Sequence, residues 1–206
     1  MTVGALLQAP HAATPGAGRP AGPVAGGRAL DVEAKGVTHD SQQVRRGWVF
    51  VALRGLKADG VSFAPQAIAN GAAAIVAERL PDTPPRDAGE PAAVPWAVVA
   101  DARRALALLA AEFYRHPSRQ MQVIGITGTN GKTTTGYLLA AIFEAAGVRC
   151  GLLGTVTYRI GKREIQSTRT TPEAPDVQGL LRQMVDDGCG ACVMEVSSHA
   201  LALSRV

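Results

Sequence analysis

Aromatic residues make up only 4% of the 206 residues, so Ala, Val, Leu and Ile must fill whatever core the chain builds. Cysteine is scarce as well. Three thiols, Cys150, Cys189 and Cys192, are too few for a disulfide framework and suit a reducing compartment. No apolar run approaches the ~20 residues that cross a bilayer, which excludes a membrane-spanning helix. The first basic residue is Arg19, so the start lacks the charged region of a secretory signal, and the expected location is cytoplasmic. Lys and Arg exceed Asp and Glu by only 21 − 17 = +4, with no dense basic block and few aromatics to stack bases. That balance disfavours nucleic acid as a partner and leaves phosphorylated small molecules. What is present, 47% hydrophobic and 18% charged residues, describes a globular α/β protein too short for a (β/α)₈ barrel of ~250 residues.

Residues 1–35 are rich in Ala, Gly and Pro without periodicity, and are expected to form a flexible lead-in. From Gly36 the pattern alternates. Apolar runs at 49–53, 74–77 and 96–99 read as strands, with a helix capped by Ser62 and reaching Asn70, and a proline-rich loop over 80–95. A further helix, capped by Asp101, carries Leu106, Leu109, Ala110 and Phe113 and stops before His116-Pro117. This gives a small α/β domain over 36–118. A second domain over 119–206 should begin with a strand at 122–126, then a Gly/Thr-rich loop and a helix. A strand over 148–157, a turn at 160–162, a helix over 176–187 and a strand over 191–196 follow, and the βα alternation implies a parallel sheet.

Thr127-Gly128-Thr129-Asn130-Gly131-Lys132-Thr133-Thr134 lies between an apolar run and an amphipathic stretch, the context of a phosphate-binding loop. Gly128 and Gly131 let backbone N–H groups converge on phosphate oxygens, and the helix that follows adds the positive end of its dipole. Lys132 would reach the β- and γ-phosphates, and the Thr133 hydroxyl suits Mg²⁺, which prefers hard oxygen. The general pattern has Gly where Ile126 stands, so the loop is a variant; the plain alternative is an ordinary Gly-rich turn. Glu195 ends an apolar run at the sheet edge where parallel sheets place ligands. It is the second metal candidate, against a solvated strand-end acid. No nucleophile-elbow glycines surround Ser197, so hydrolase chemistry is not expected despite His199 nearby. Cys189 and Cys192 form a single pair, short of the four ligands zinc requires, and are expected as small buried hydrophobes.

The TGTNGKTT loop, Thr170-Thr171-Pro172-Glu173 and the Met194–Leu201 run MEVSSHAL resemble the Mur ligases of peptidoglycan synthesis. The branch they resemble most extends a UDP-muramoyl dipeptide by a third amino acid. Asp40-Ser41, Gly47–Ala52, Ala58-Asp59-Gly60 and Pro65–Ile68 look like that family's UDP-binding domain. The resemblance covers the chain from about Gly36 onward. It implies a UDP-binding domain followed by the first part of a P-loop, parallel-sheet ATPase domain. The implied reaction is ATP-dependent amide formation, with UDP-MurNAc-L-Ala-D-Glu, ATP and a diamino acid as substrates; meso-diaminopimelate and L-lysine both stay open, with the Ala/Arg/Gly-rich composition tilting towards meso-diaminopimelate. By the same resemblance Gly128, Thr129, Asn130, Gly131, Lys132, Thr133 and Thr134 bind ATP, and Thr133 and Glu195 hold Mg²⁺. Lys132 and Glu195 become the catalytic pair. Ser41, Leu56, Lys57 and Ala58 meet the uridine nucleotide, and Thr170, Thr171, Ser197 and Arg205 contact the muramoyl dipeptide.

Family members run to more than twice this length, so the chain is expected to be an N-terminal fragment that does not turn over alone, from a protein that is monomeric at full length. Three other readings stay open: a UDP-sugar or nucleotide binding module without catalysis, another ligase of the MurF or folylpolyglutamate synthase type, and a simple P-loop kinase.

Overall fold

The computed structural model describes residues 1–8, 33–55, 58–81 and 94–206. The chain divides into two compact units, Met1–Phe113 and Tyr114–Val206.

In the first unit, strands β1 (Gly36–Thr38), β2 (Trp48–Val51), β3 (Ala74–Ala77) and β4 (Trp96–Val98) pair in that order, all parallel. Both faces of this sheet are covered, which is why its strands read as continuous apolar runs. Val49, Val51, Val76 and Ala97 face one side, where α1 (Val3–Gln8) contributes Val3 and Leu6, and α3 (Ala102–Phe113) contributes Leu106 and Leu109. Phe50, Ile75 and Trp96 face the other, against Ala64 and Ala67 of α2 (Ala64–Ala69).

Two sequence expectations are corrected here. The start of the expected lead-in is ordered: residues 3–8 are helical, Val3 and Leu6 are almost fully buried, and Thr2 forms an antiparallel bridge with Glu33, while residues 9–32 of that stretch lie outside the described residues. Two apolar side chains, Val3 and Leu6, were enough once a sheet face was available to receive them. Nor does Ser62 cap the second helix. Asp59 accepts from the Val61 N–H at 3.0 Å and starts a 3₁₀ turn over Gly60–Phe63 that leads into α2. Asp101 does cap α3, accepting from the Arg104 N–H at 2.9 Å.

The second unit is a five-stranded sheet of β5 (Gln122–Ile126), β6 (Cys150–Leu153), β7 (Thr157–Ile160), β8 (Arg163–Gln166) and β9 (Ala191–Glu195), in the order β5-β9-β6-β7-β8. Only β5-β9-β6 is parallel; β7 and β8 continue it as an antiparallel hairpin. The single strand expected over 148–157 is therefore two, parted at Gly154-Thr155-Val156, and the sheet is mixed. Helix α4 (Lys132–Ala145) packs Ala140 over Cys150, Leu152 and Val193, while α5 (Ala174–Asp186) packs Val177, Leu181 and Met184 over Leu153, Tyr158 and Cys192 on the opposite face. A short helix, α6 (Ser198–Ala202), follows β9. Among the described residues no helix is long and apolar enough to cross a membrane.

All three thiols are buried, and burial pushes those of Cys150 and Cys192 up. Each should resist an aromatic disulfide reagent at pH 8 in the native state and react once denaturant is added; rapid native labelling would contradict the packing. Leu6→Ala should lower unfolding free energy by about 2–4 kcal/mol, as for other buried leucines. Urea titration of the chain measures it, and a change near zero would place α1 outside the core.

Candidate active site

The parallel pairing brings three strand ends to one edge. Ile126 of β5 lies opposite Glu195 of β9, and Leu153 of β6 lies opposite Met194. The segments leaving these ends are the Gly/Thr loop over 127–131, the Glu195–Ser197 step and Gly154-Thr155. Parallel sheets bind ligands at this edge because backbone groups and helix N-termini are open there. The loop turns into α4 through Gly131, whose φ of +78° is a left-handed conformation that glycine adopts without strain. The Lys132 ammonium donates to the Gly128 carbonyl at 2.6 Å, so the loop and its lysine are held together within one turn.

Glu195 is 2% exposed, and a carboxylate so placed must be hydrogen-bonded to be tolerated. Its Oε1 accepts from the Thr133 hydroxyl at 2.9 Å and from the Thr155 N–H at 3.0 Å; its Oε2 accepts from the Thr155 hydroxyl at 3.1 Å. Thr133 and Glu195 together present hard oxygens at the first turn of α4, a donor set that fits Mg²⁺. The close approach of β6 to the carboxylate requires Gly154, since a Cβ there would stand 2.7 Å from Glu195 Oε1.

A cleft of about 340 Å³ opens over this edge, lined by residues 129–134 together with Thr155, Thr170, Glu195 and Ser197. Most of the residues expected at a nucleotide site thus meet in one place. Gly128 lies behind the lining as the acceptor for Lys132. Thr171 and Arg205 are not part of the lining. Thr171 is 2% exposed; its hydroxyl donates to the Glu195 carbonyl at 2.9 Å and accepts from the Ser197 N–H at 3.2 Å, which ties two loops together beneath the cleft. Arg205 forms an ion pair with Glu173 at 2.8 Å, and Glu173 also pairs with Arg169 at 2.8 Å. Ser197 caps α6 by accepting from the Ala200 N–H at 3.1 Å.

In the first unit Ser41 follows β1, 7% exposed, donating from its hydroxyl to Gln66 Oε1 at 2.6 Å while its carbonyl accepts from Asn70 Nδ2. Ala58 is exposed on the segment after β2; Leu56 and Lys57 lie outside the described residues.

Thr155 was missed from sequence because the apolar run over 148–157 reads as one strand and hides the break. The available signal was Gly154-Thr155 itself, a small residue and a hydroxyl at the end of a strand beside the loop. Glu173 was quoted only as part of a motif, although it binds two arginines.

Two family models match the chain in order: the catalytic domain of the Mur ligase family over 33–114 and the Mur ligase middle domain over 126–206. A UDP-N-acetylmuramoyl-L-alanyl-D-glutamate--2,6-diaminopimelate ligase of Chlorobium phaeobacteroides is 46% identical over 182 residues, 88% of this chain and 35% of the relative. The enzyme of that name from Chlorobaculum tepidum is 49% identical over 181 residues, 88% of this chain and 34% of the relative. A UDP-N-acetylmuramyl-tripeptide synthetase of Deinococcus radiodurans is 48% identical over 179 residues, 85% of this chain and 35% of the relative. Among solved structures, a 2,6-diaminopimelate ligase of the first name superposes with a TM-score of 0.66 at 29% identity, over 84% of this chain and 34% of that one. The MurF ligase of Thermotoga maritima in complex with ADP gives 0.50 at 27% identity, over 82% and 33%. The chain spans about a third of the length of the curated relatives it matches. Two family models in sequence order, over a sheet edge that gathers a phosphate loop and a buried carboxylate, make this chain a member of the Mur ligase family.

Proposed function

We propose that this chain forms the UDP-binding and nucleotide-binding parts of a cytoplasmic ligase that joins a third amino acid to UDP-MurNAc-L-Ala-D-Glu at the expense of ATP. The third amino acid would be 2,6-diaminopimelate, the one named for two of the relatives. One observation carries the reading: Thr133 at the start of α4 and Glu195 at the end of β9, far apart in sequence, stand 2.9 Å apart on the wall of the phosphate-loop cleft.

In this reading the N–H groups of the loop and the N-terminus of α4 hold the triphosphate. Lys132 exchanges the Gly128 carbonyl for phosphate oxygens and stabilises charge that develops as the γ-phosphoryl group moves to the D-Glu carboxylate. Thr133 and Glu195 would hold Mg²⁺, which when bound neutralises charge on the transferred group. Thr170 and Ser197 line the same cleft and orient the carboxylate-bearing peptide, so that the acyl phosphate forms in place for attack by the incoming amine. Arg205, paired with Glu173, would meet a carboxylate of the peptide. Ser41 and the residues 56–58 would take the uridine end.

Calorimetry of the chain with Mg²⁺ and a non-hydrolysable ATP analogue tests the reading. Lys132→Met should weaken binding about 10- to 100-fold, matching the 1.5–3 kcal/mol of a hydrogen bond to a charged group. Unchanged affinity would overturn it. Gly154→Ala should leave the thermal midpoint within a few degrees, because rotating the carboxylate away is the cheapest relief, yet abolish the enhancement of analogue binding by Mg²⁺. Full Mg²⁺ dependence in that variant would remove Glu195 from the metal site.

A further inference from the structure

Three hydroxyl side chains line the cleft, those of Thr155, Thr170 and Ser197, and a fourth, on buried Thr171, accepts from the Ser197 N–H. Their proton directions differ. A hydroxyl has one proton and two lone pairs, whereas a carboxylate only accepts. The Thr155 hydroxyl lies 3.1 Å from Glu195 Oε2 and 3.1 Å from Thr170 Oγ1, and it cannot donate to both. The charge-assisted bond to the carboxylate is the stronger, so the Thr155 proton goes to Glu195 and the bond between the two threonines is donated by Thr170. Each bond in such a chain polarises the next, which holds the sequence Thr170 to Thr155 to Glu195 in one sense.

Thr170 has its proton committed to Thr155 and turns lone pairs to a ligand. Ser197 is the reverse: its oxygen already accepts the Ala200 N–H, and among the described residues its proton has no acceptor. Thr171 has given its proton to the Glu195 carbonyl and taken the Ser197 N–H, and at 2% exposure it offers a ligand nothing. Thr155 also donates its backbone N–H to Glu195 Oε1, so a change confined to its hydroxyl leaves the carboxylate two donors, Thr133 and the Thr155 amide.

We propose that Thr155 is a positioning residue: by committing its proton to Glu195 it makes Thr170 an acceptor, so that Thr170 receives an N–H of the bound peptide while Ser197 donates to its carboxylate. An amino-acid unit at the end of a peptide supplies both an N–H and an anionic oxygen. The inference rests on the peptide-binding role given to this wall above, and it adds which atom of the peptide each hydroxyl reads and which residue enforces the choice.

Two measurements test it. Neutron diffraction from deuterated crystals of the chain should show the deuteron between the two threonines on Thr170 Oγ1, and that of Thr155 directed at Glu195; a Thr155 deuteron directed at Thr170 overturns the proposal whatever the ligand is. Calorimetry with UDP-MurNAc-L-Ala-D-Glu, in the presence of Mg²⁺ and the ATP analogue, should give a loss of about 3- to 10-fold for Thr155→Val and the same for Thr170→Val. The double variant should be no weaker than either single one, and Thr155→Ser should restore binding. Additive losses, or full affinity in Thr155→Val, overturn the proposal. Peptide that fails to bind the unaltered chain would overturn the proposed function, and with it the peptide assignment of these hydroxyls.

Discussion

The pairing of β5 with β9 is the constraint on which the site depends. It sets Ile126 opposite Glu195, so that the loop leaving β5 and the carboxylate ending β9 emerge side by side although Ile126 and Glu195 are 195 − 126 = 69 positions apart in sequence. β6 on the other flank of β9 adds Gly154 and Thr155 at the same level. A slip of one residue in this register would turn Glu195 to the other face of the sheet and carry it away from Thr133. The apolar side chains of β9, all buried between α4 and α5, oppose such a slip. The chemistry at the edge is thus held by packing well away from it.

Burying Glu195 costs free energy, and the surrounding hydroxyls and amide offset that cost. The same bonds fix the carboxylate in one orientation beside the first turn of α4. Removal of one partner leaves the others, but a Cβ on Gly154 would occupy the carboxylate's own space. Thr171 and the Glu173 pair with Arg169 and Arg205 act one layer lower, joining the segment before α5 to the segments that flank α6. In the first unit a parallel sheet apolar on both faces serves a comparable purpose: it leaves only strand ends and loops for polar contacts, and Ser41 and Ala58 sit there.

Short-range patterns were the legible part of the sequence. The βα alternation, the Gly/Thr loop between Ile126 and Lys132 and the acid at the end of β9 each follow from local periodicity and from where glycine and hydroxyl residues fall. Residues whose role depends on long-range neighbours were not legible. Helix α1 lies in an Ala/Gly/Pro-rich start and becomes intelligible only with the sheet face that buries Val3 and Leu6. Thr155 is hidden in an apolar run, and its partners Glu195 and Thr170 lie 40 and 15 residues away. Thr171 belongs to a recognisable motif, yet its neighbours, and not the motif, decide that its hydroxyl faces inward. Leu138 and Ile142 count toward the apolar pattern of α4 although both are largely exposed, which composition alone does not foresee.

The central claim is that the loop, Thr133 and Glu195 act together on one magnesium nucleotide. Hydrogen–deuterium exchange of this chain, with and without Mg²⁺ and a non-hydrolysable ATP analogue, tests it most directly. The account predicts new protection over residues 128–134 together with 154–155 and 195–197, lost when Mg²⁺ is withheld at the latter two segments first. Protection confined to the first unit, or none at residues 128–134, would contradict it.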